Sequence, residues 1–431
     1  MRQAFRASIL HCLADPGEES RASAYEYFED GLLIIEDGTV LEAGHAGTLL
    51  DGLAEDVLLT EFPGKLIVPG FIDCHVHYPQ LDIIASYGEQ LLDWLHRYAY
   101  PAEARYSDPD YARAAATVFV DELLNNGTTT ALVFGTVHAH SADAIFEAAA
   151  ARDMRLIAGK VLMDCNCPAE LRDDADSAYA DSKALIERWH GRGRLGYAIT
   201  PRFALTSTAE QLTAAGKLAR EYPEVWVHTH LAENRDEVEQ IARQFPSSRS
   251  YLDVYDQFGL LRERSVFAHC LHLDDQDRAR MASAGGAAAF CPTSNLFLGS
   301  GLFDLSSMRA ANVRCGLGTD VGGGTSLSLL KTASEAYKVL HLQDHALPAT
   351  RALYLATLGA AEALYLDDAI GNFLPGKEAD FIVLDPGGSK LVARRTSAAE
   401  TIEEAFFALL TLADERHVAA TFINGSVQES N

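Results

Sequence analysis

The sequence predicts a (β/α)8 barrel of α/β class, flanked by a small β-sandwich built from both chain ends. Two observations carry this. Between residues 66 and about 355, eight short apolar runs alternate with helical stretches, and runs that are apolar on both faces suit parallel strands covered by crossover helices. The two ends carry turn-punctuated strand signals instead. An open doubly wound sheet is the alternative for the centre.

At the N-terminal end, Ala4 to Leu13 and Tyr25 to Ile35 carry strand-type residues. Glu36-Asp37-Gly38 is a hairpin signal, and Thr39 to Ala43 continues beyond it. Leu66-Ile67-Val68, punctuated by Pro69-Gly70 and resumed by Phe71-Ile72, reads as the first barrel strand. The others are read at 128–135, 155–164, 195–201, 225–230, 265–269, 286–291 and 313–318, with a helix from Tyr111 to Leu124. Asn372 to Asp385 and Thr421 to Val427 return to strand signals. The expected division is 1–66 and 371–431 for the sandwich and 67–370 for the barrel.

Composition narrows the partners. The net charge is -26, from 35 basic and 61 acidic residues, which argues against nucleic acid or an anionic membrane. Seven cysteines, odd in number and with no C-x-x-C pair, suggest reduced thiols in the cytoplasm. The N-terminus lacks the apolar stretch of a signal peptide, and no run is long enough to span a membrane.

Active sites of such barrels lie at the C-terminal ends of the strands. His75 and His77 follow the first strand, and in extended chain they share one face. His230 and Glu233 end the fifth, His269 the sixth and Asp320 the eighth. Three imidazoles and a carboxylate suit a divalent ion such as zinc or ferrous iron. Such an ion would turn a water into a nucleophile near neutral pH. Glu233 would move its proton to a leaving amine, Asp320 would ligate the ion and orient the water, and His269 would polarise the atom under attack. No lysine near the end of the fourth strand offers a bridge to a second metal, so one ion is expected. His228 stands two residues before His230 and has the geometry to compete with it. His138-x-His140 repeats the form of the opening motif, Cys165 and Cys167 read as reduced loop thiols, and Gly322-Gly323-Gly324 reads as flexible backbone.

The stretches Pro69 to Gln80, Leu92-Asp93-Trp94-Leu95, Thr200 to Phe203, His230 to Glu237, Cys291 to Asn295 and Gly318 to Gly324 resemble the amidohydrolase superfamily over essentially the whole chain. Tyr78-Pro79-Gln80, Pro201-Arg202-Phe203 and Glu233-Asn234-Arg235-Asp236-Glu237 narrow the resemblance to its guanine-deaminating branch. The resemblance implies His75, His77, His230 and Asp320 as ligands of one divalent ion, zinc or else ferrous iron. It implies Glu233 as proton shuttle and His269 as a catalytic group. Gln80, Arg202 and the backbone at Phe203 would read a purine, beside His230 and Glu233, and Trp94 would cover its ring or pack as core. The implied reaction is hydrolysis of guanine to xanthine and ammonia. Another aminopurine, a pterin or an aminotriazine is the alternative substrate, and a non-catalytic barrel the remote one. A homodimer is implied as well. One stretch departs: in Asp164-Cys165-Asn166-Cys167-Pro168 cysteines stand where relatives carry arginine and alanine, so nothing is carried over to that loop.

Overall fold

A computed structural model describes residues 2–54 and 56–428. Met1, Glu55 and 429–431, at the edges of the expected sandwich segments, lie outside it. The chain forms two compact units, 1–72 with 121–129 and 328–431, and 73–120 with 130–327. Residues 328–370, assigned to the barrel from sequence, thus group with the chain ends. The reason is packing: helices Leu329–His341 and Ala349–Ala356 lie against helix Ile402–Leu412, with Tyr337 and Phe407 edge to face at 4.9 Å.

The terminal segments form one seven-stranded sheet. Strand Arg2–Cys12 pairs with Tyr25–Glu36 and with Leu58–Pro69, and the latter continues to Phe381–Leu384, Val418–Ile423 and Ser426–Gln428. Asp37 and Gly38 both have positive φ, 49° and 80°, as the two-residue hairpin to Thr39–His45 requires. The sandwich arises because this single sheet folds over. Arg6 pairs with Glu61 but Ser8 pairs with Leu66, so three extra residues around Pro63 and Gly64 bend the long strand. Phe5 thereby meets Phe381 and Phe422 edge to face at 4.9 and 5.1 Å, although their strands are not neighbours. Alternation supplies the two faces: Phe5, Leu33 and Ile35 join one core cluster, Ala4 and Leu32 another.

Two readings of the chain are corrected here. Leu66-Ile67-Val68 is the end of a terminal-sheet strand, paired with Phe381–Leu384, and the first barrel strand begins only at Phe71. The C-terminal segment is not all β: helices Lys390–Thr396 and Ile402–Leu412 occupy its middle.

The barrel strands are Phe71–His77, Thr128–Phe134, Arg155–Gly159, Leu195–Pro201, Trp226–Leu231, Ser265–His269, Ala287–Phe290 and Arg314–Leu317, in that order around the sheet. Phe71–His77 is buried along its whole length. The circle closes where the Asp320 N–H donates to the His75 carbonyl at 2.8 Å and the His77 N–H to that of Val321 at 2.9 Å. Among the described residues, no helix is long and apolar enough to cross a membrane.

If the folded-over sheet rests on its aromatic cluster, Phe5→Ala, at a site only 3 % exposed, costs about 3–5 kcal/mol. The check is the drop in denaturant midpoint, with loss under about 0.5 kcal/mol counting against the cluster.

Candidate active site

The ends of strands one, five, six and eight converge. The Nε2 atom of His77 lies 3.2 Å from Nε2 of His75 and 3.2 Å from Nε2 of His230. Asp320 Oδ1 lies 3.1 Å from His75 Nε2 and 3.3 Å from His77 Nε2. His269 joins the group from the side, its Nε2 3.7 Å from Asp320 Oδ2 and 3.4 Å from Glu233 Oε2. Ligand atoms of His75, His230, His269 and Asp320 all lie within 4.8 Å of one another.

The chain makes these geometries by local means. Asp73, at the centre of the first strand, accepts from the backbone N–H of His75 at 3.0 Å and of Thr319 at 3.1 Å. One buried carboxylate thus ties the His-x-His strand to the loop that carries Asp320. Gly318 is needed there, since a Cβ would sit 3.0 Å from both Cys291 Sγ and His75 Cβ. Ala232, His269 and Asp320 have left-handed φ values of 50°, 72° and 50°, which turn the chain sharply just past strands five, six and eight at some cost in strain.

Each ring is oriented through its remote nitrogen. His230 Nδ1 lies 2.7 Å from the carbonyl oxygen of Arg202, which can only accept, so Nδ1 carries the proton and Nε2 a lone pair. His269 Nδ1 meets Asn295 Oδ1 at 2.8 Å, and His75 Nδ1 meets His228 Nε2 at 2.7 Å. Burial pushes His77 down to about 3, lowers His75, and drives His230 well below the usual histidine range. Burial thus favours the neutral form of each ring. The Nε2 atoms of His75 and His230 each lie 3.2 Å from that of His77. Those separations match the edges of a tetrahedron with metal–nitrogen bonds of about 2.0–2.1 Å, roughly 3.3 Å. The Nε2 atom of His269 is buried with no hydrogen-bond partner. The residues fit a divalent ion.

Glu233 is held by the motif that follows it. Asn234 caps helix Arg235–Gln244, and the buried Glu237 carboxylate accepts from the backbone N–H groups of Glu233 at 3.0 Å and Asn234 at 3.1 Å and from the Tyr251 hydroxyl at 2.7 Å. The Ser300 hydroxyl donates to Glu233 Oε1 at 3.1 Å. Burial, then the adjacent Asp320 charge, pushes the Glu233 carboxyl up to about 8, a value suited to proton transfer near neutrality.

A pocket lies against these groups. Gln80, Trp94, Arg202, Phe203, His230, Glu233, His269 and Asp320 all line it. Trp94 is both buried and on the cavity wall, its indole N–H without a partner. The Phe203 carbonyl already accepts from the Thr206 N–H at 3.1 Å. His228 Nε2 contacts His75 Nδ1. His138 and His140 stack on each other away from the cluster, at 5.5 Å, with His140 Nε2 on the Tyr106 carbonyl. Neither Cys165 nor Cys167 belongs to a metal-type cluster among the described residues.

Sequence reasoning gave no role to Glu103, Asn295 or Ser300. For Glu103 the available signal was one acid within the mostly apolar stretch from Tyr98 to Ala104.

Residues 66–427 match the amidohydrolase family. The chain is 51 % identical to the guanine deaminase of Escherichia coli over 94 % of this chain and 93 % of that one. The solved E. coli guanine deaminase superposes with a TM-score of 0.97 at 49 % identity, covering 99 % of each chain. The solved guanine deaminase of Bradyrhizobium japonicum superposes with a TM-score of 0.96 at 37 % identity over the full length of both.

If ring orientation sets metal affinity, His228→Ala, which spares the four expected ligands, weakens metal binding by about 10–100-fold. Competition with a chelating dye reads this, and unchanged affinity contradicts the assignment.

Proposed function

The chain belongs to the amidohydrolase family, and from that premise we propose that it hydrolyses guanine to xanthine and ammonia. The observation that carries the reading is one pocket whose walls hold both a cation-fitting cluster and the donors of Gln80 and Arg202.

In this reading His75, His77, His230 and Asp320 hold one divalent ion, a choice supported by the contacts of 3.1–3.3 Å that His77 makes with the other three and His75 with Asp320. Zinc is the proposed ion, and ferrous iron suits the same donors. When bound, the ion supplies a water acidified toward neutral pH. Glu233 takes a proton from the attacking water and delivers it to the departing amine. Its raised pKa keeps it able to do both, and Ser300 and Glu237 hold it in place. His269, fixed by Asn295, presents Nε2 to Glu233 and to the carbon under attack. Arg202 and Gln80 bind the purine edge by hydrogen bonding, and Trp94, Leu91 and Phe203 exclude water around its faces.

The proposed setting is a homodimer in the cytoplasm acting on a free purine rather than on nucleic acid or at a membrane. The charge of -26 and the absence of any disulfide among the seven cysteines support that setting.

Glu233→Gln is expected to lower kcat by about 10²–10⁴-fold while metal content and guanine KM stay near wild type. Arg202→Ala is expected to lower kcat/KM for guanine by about 100-fold or more. Steady-state xanthine formation tests both. A purified, metal-loaded enzyme that makes no xanthine, or that prefers an aminotriazine or pterin to guanine, overturns the reading.

A further inference from the structure

Gln80 and Arg202 each give a donor to one buried carboxylate. Gln80 Nε2 donates to Glu103 Oε1 at 2.8 Å, and Arg202 Nη1 donates to Glu103 Oε2 at 2.6 Å. Glu103 is fully buried on the short helix Tyr100–Ala104, behind the cavity wall and not part of it. The same helix lays the Tyr100 ring against the Arg202 guanidinium, 5.2 Å from its centroid. The Gln80 carbonyl oxygen accepts from the Gly322 N–H at 3.2 Å.

Two consequences follow from chemistry alone. An ionised carboxylate only accepts, so Glu103 sets the sense of the Gln80 amide, with nitrogen toward Glu103 and oxygen toward Gly322. It also cancels the Arg202 charge. A buried guanidinium with no counterion would give the purine-reading wall a net positive charge in a low-dielectric setting. Such a wall attracts anions more strongly than neutral rings. Guanine is neutral at neutral pH, whereas xanthine and urate lose a proton more readily.

Resting on the guanine reading, we propose that Glu103 is a positioning residue that orients Gln80 and Arg202 and, by charge balance, makes the cavity favour neutral purines over anionic ones. The neutral substrate is thereby retained and the more acidic product released.

The test compares wild type with Glu103→Gln, Glu103→Asp and the double variant Glu103→Gln/Arg202→Gln, all metal-loaded. Calorimetry at neutral pH measures binding of hypoxanthine, which is neutral, and of urate, which is anionic. In Glu103→Gln the affinity ratio is expected to shift toward urate by about tenfold or more, with guanine KM rising more than kcat falls. Glu103→Asp retains the charge and is expected to keep the wild-type ratio. The double variant, neutral against neutral, is expected to keep that ratio too while losing guanine affinity. It carries the test if the single variant does not fold. An unshifted ratio in Glu103→Gln, or a shift of equal size in Glu103→Asp or the double variant, overturns the proposal. Because binding is read without turnover, failure of wild type to form xanthine sinks the deamination reading separately.

Discussion

The structure depends on one electrostatic constraint: the buried Nε2 atoms of His75 and His230 and the Asp320 carboxylate all lie 3.2–3.3 Å from His77 Nε2. Such a buried set of nitrogens beside a carboxylate fits a cation. The rest of the barrel end serves to keep the lone pairs converging. The Arg202 carbonyl, Asn295 and His228 fix the ring orientations of His230, His269 and His75. Asp73 ties the strand of His75 to the loop of Asp320. The left-handed residues at 232, 269 and 320 are the backbone cost of aiming these side chains inward.

The cation cluster and the purine wall share residues, which couples their positions. Arg202 orients His230 through its carbonyl and faces the cavity with its side chain. Gln80 lies three residues beyond His77 and contacts the His77 ring at 3.4 Å. Glu237 holds the backbone that presents Glu233. In the proposed reading the same short segments would register substrate and activated water, and such registration is a large part of the rate advantage of a positioned site.

Much of this was legible in the sequence, for definite reasons. Buried parallel strands read as apolar runs, so seven barrel strands were placed and the first was caught only at Phe71-Ile72. Polar residues at their ends stood out against that background: His75, His77, His230, Glu233, His269 and Asp320 all come together. Features that depend on distant contacts were not legible. Leu66–Val68 is as apolar as a barrel strand, and only its partners Phe381–Leu384 reveal that it belongs to the terminal sheet. Pro63-Gly64 reads as an ordinary turn until the register jump shows it folding a sheet. Glu103 looks like any helical acid until Gln80 and Arg202, the latter almost a hundred positions away, close on it.

The central claim is that a single cation completes the cluster and is required for the chemistry. The most direct measurement strips the purified protein of metal, restores zinc in steps, and follows bound metal and guanine turnover together. The account predicts that activity rises in proportion to bound zinc and saturates at one ion per chain. Substantial xanthine formation by the stripped protein, or saturation only at two ions per chain, would contradict it.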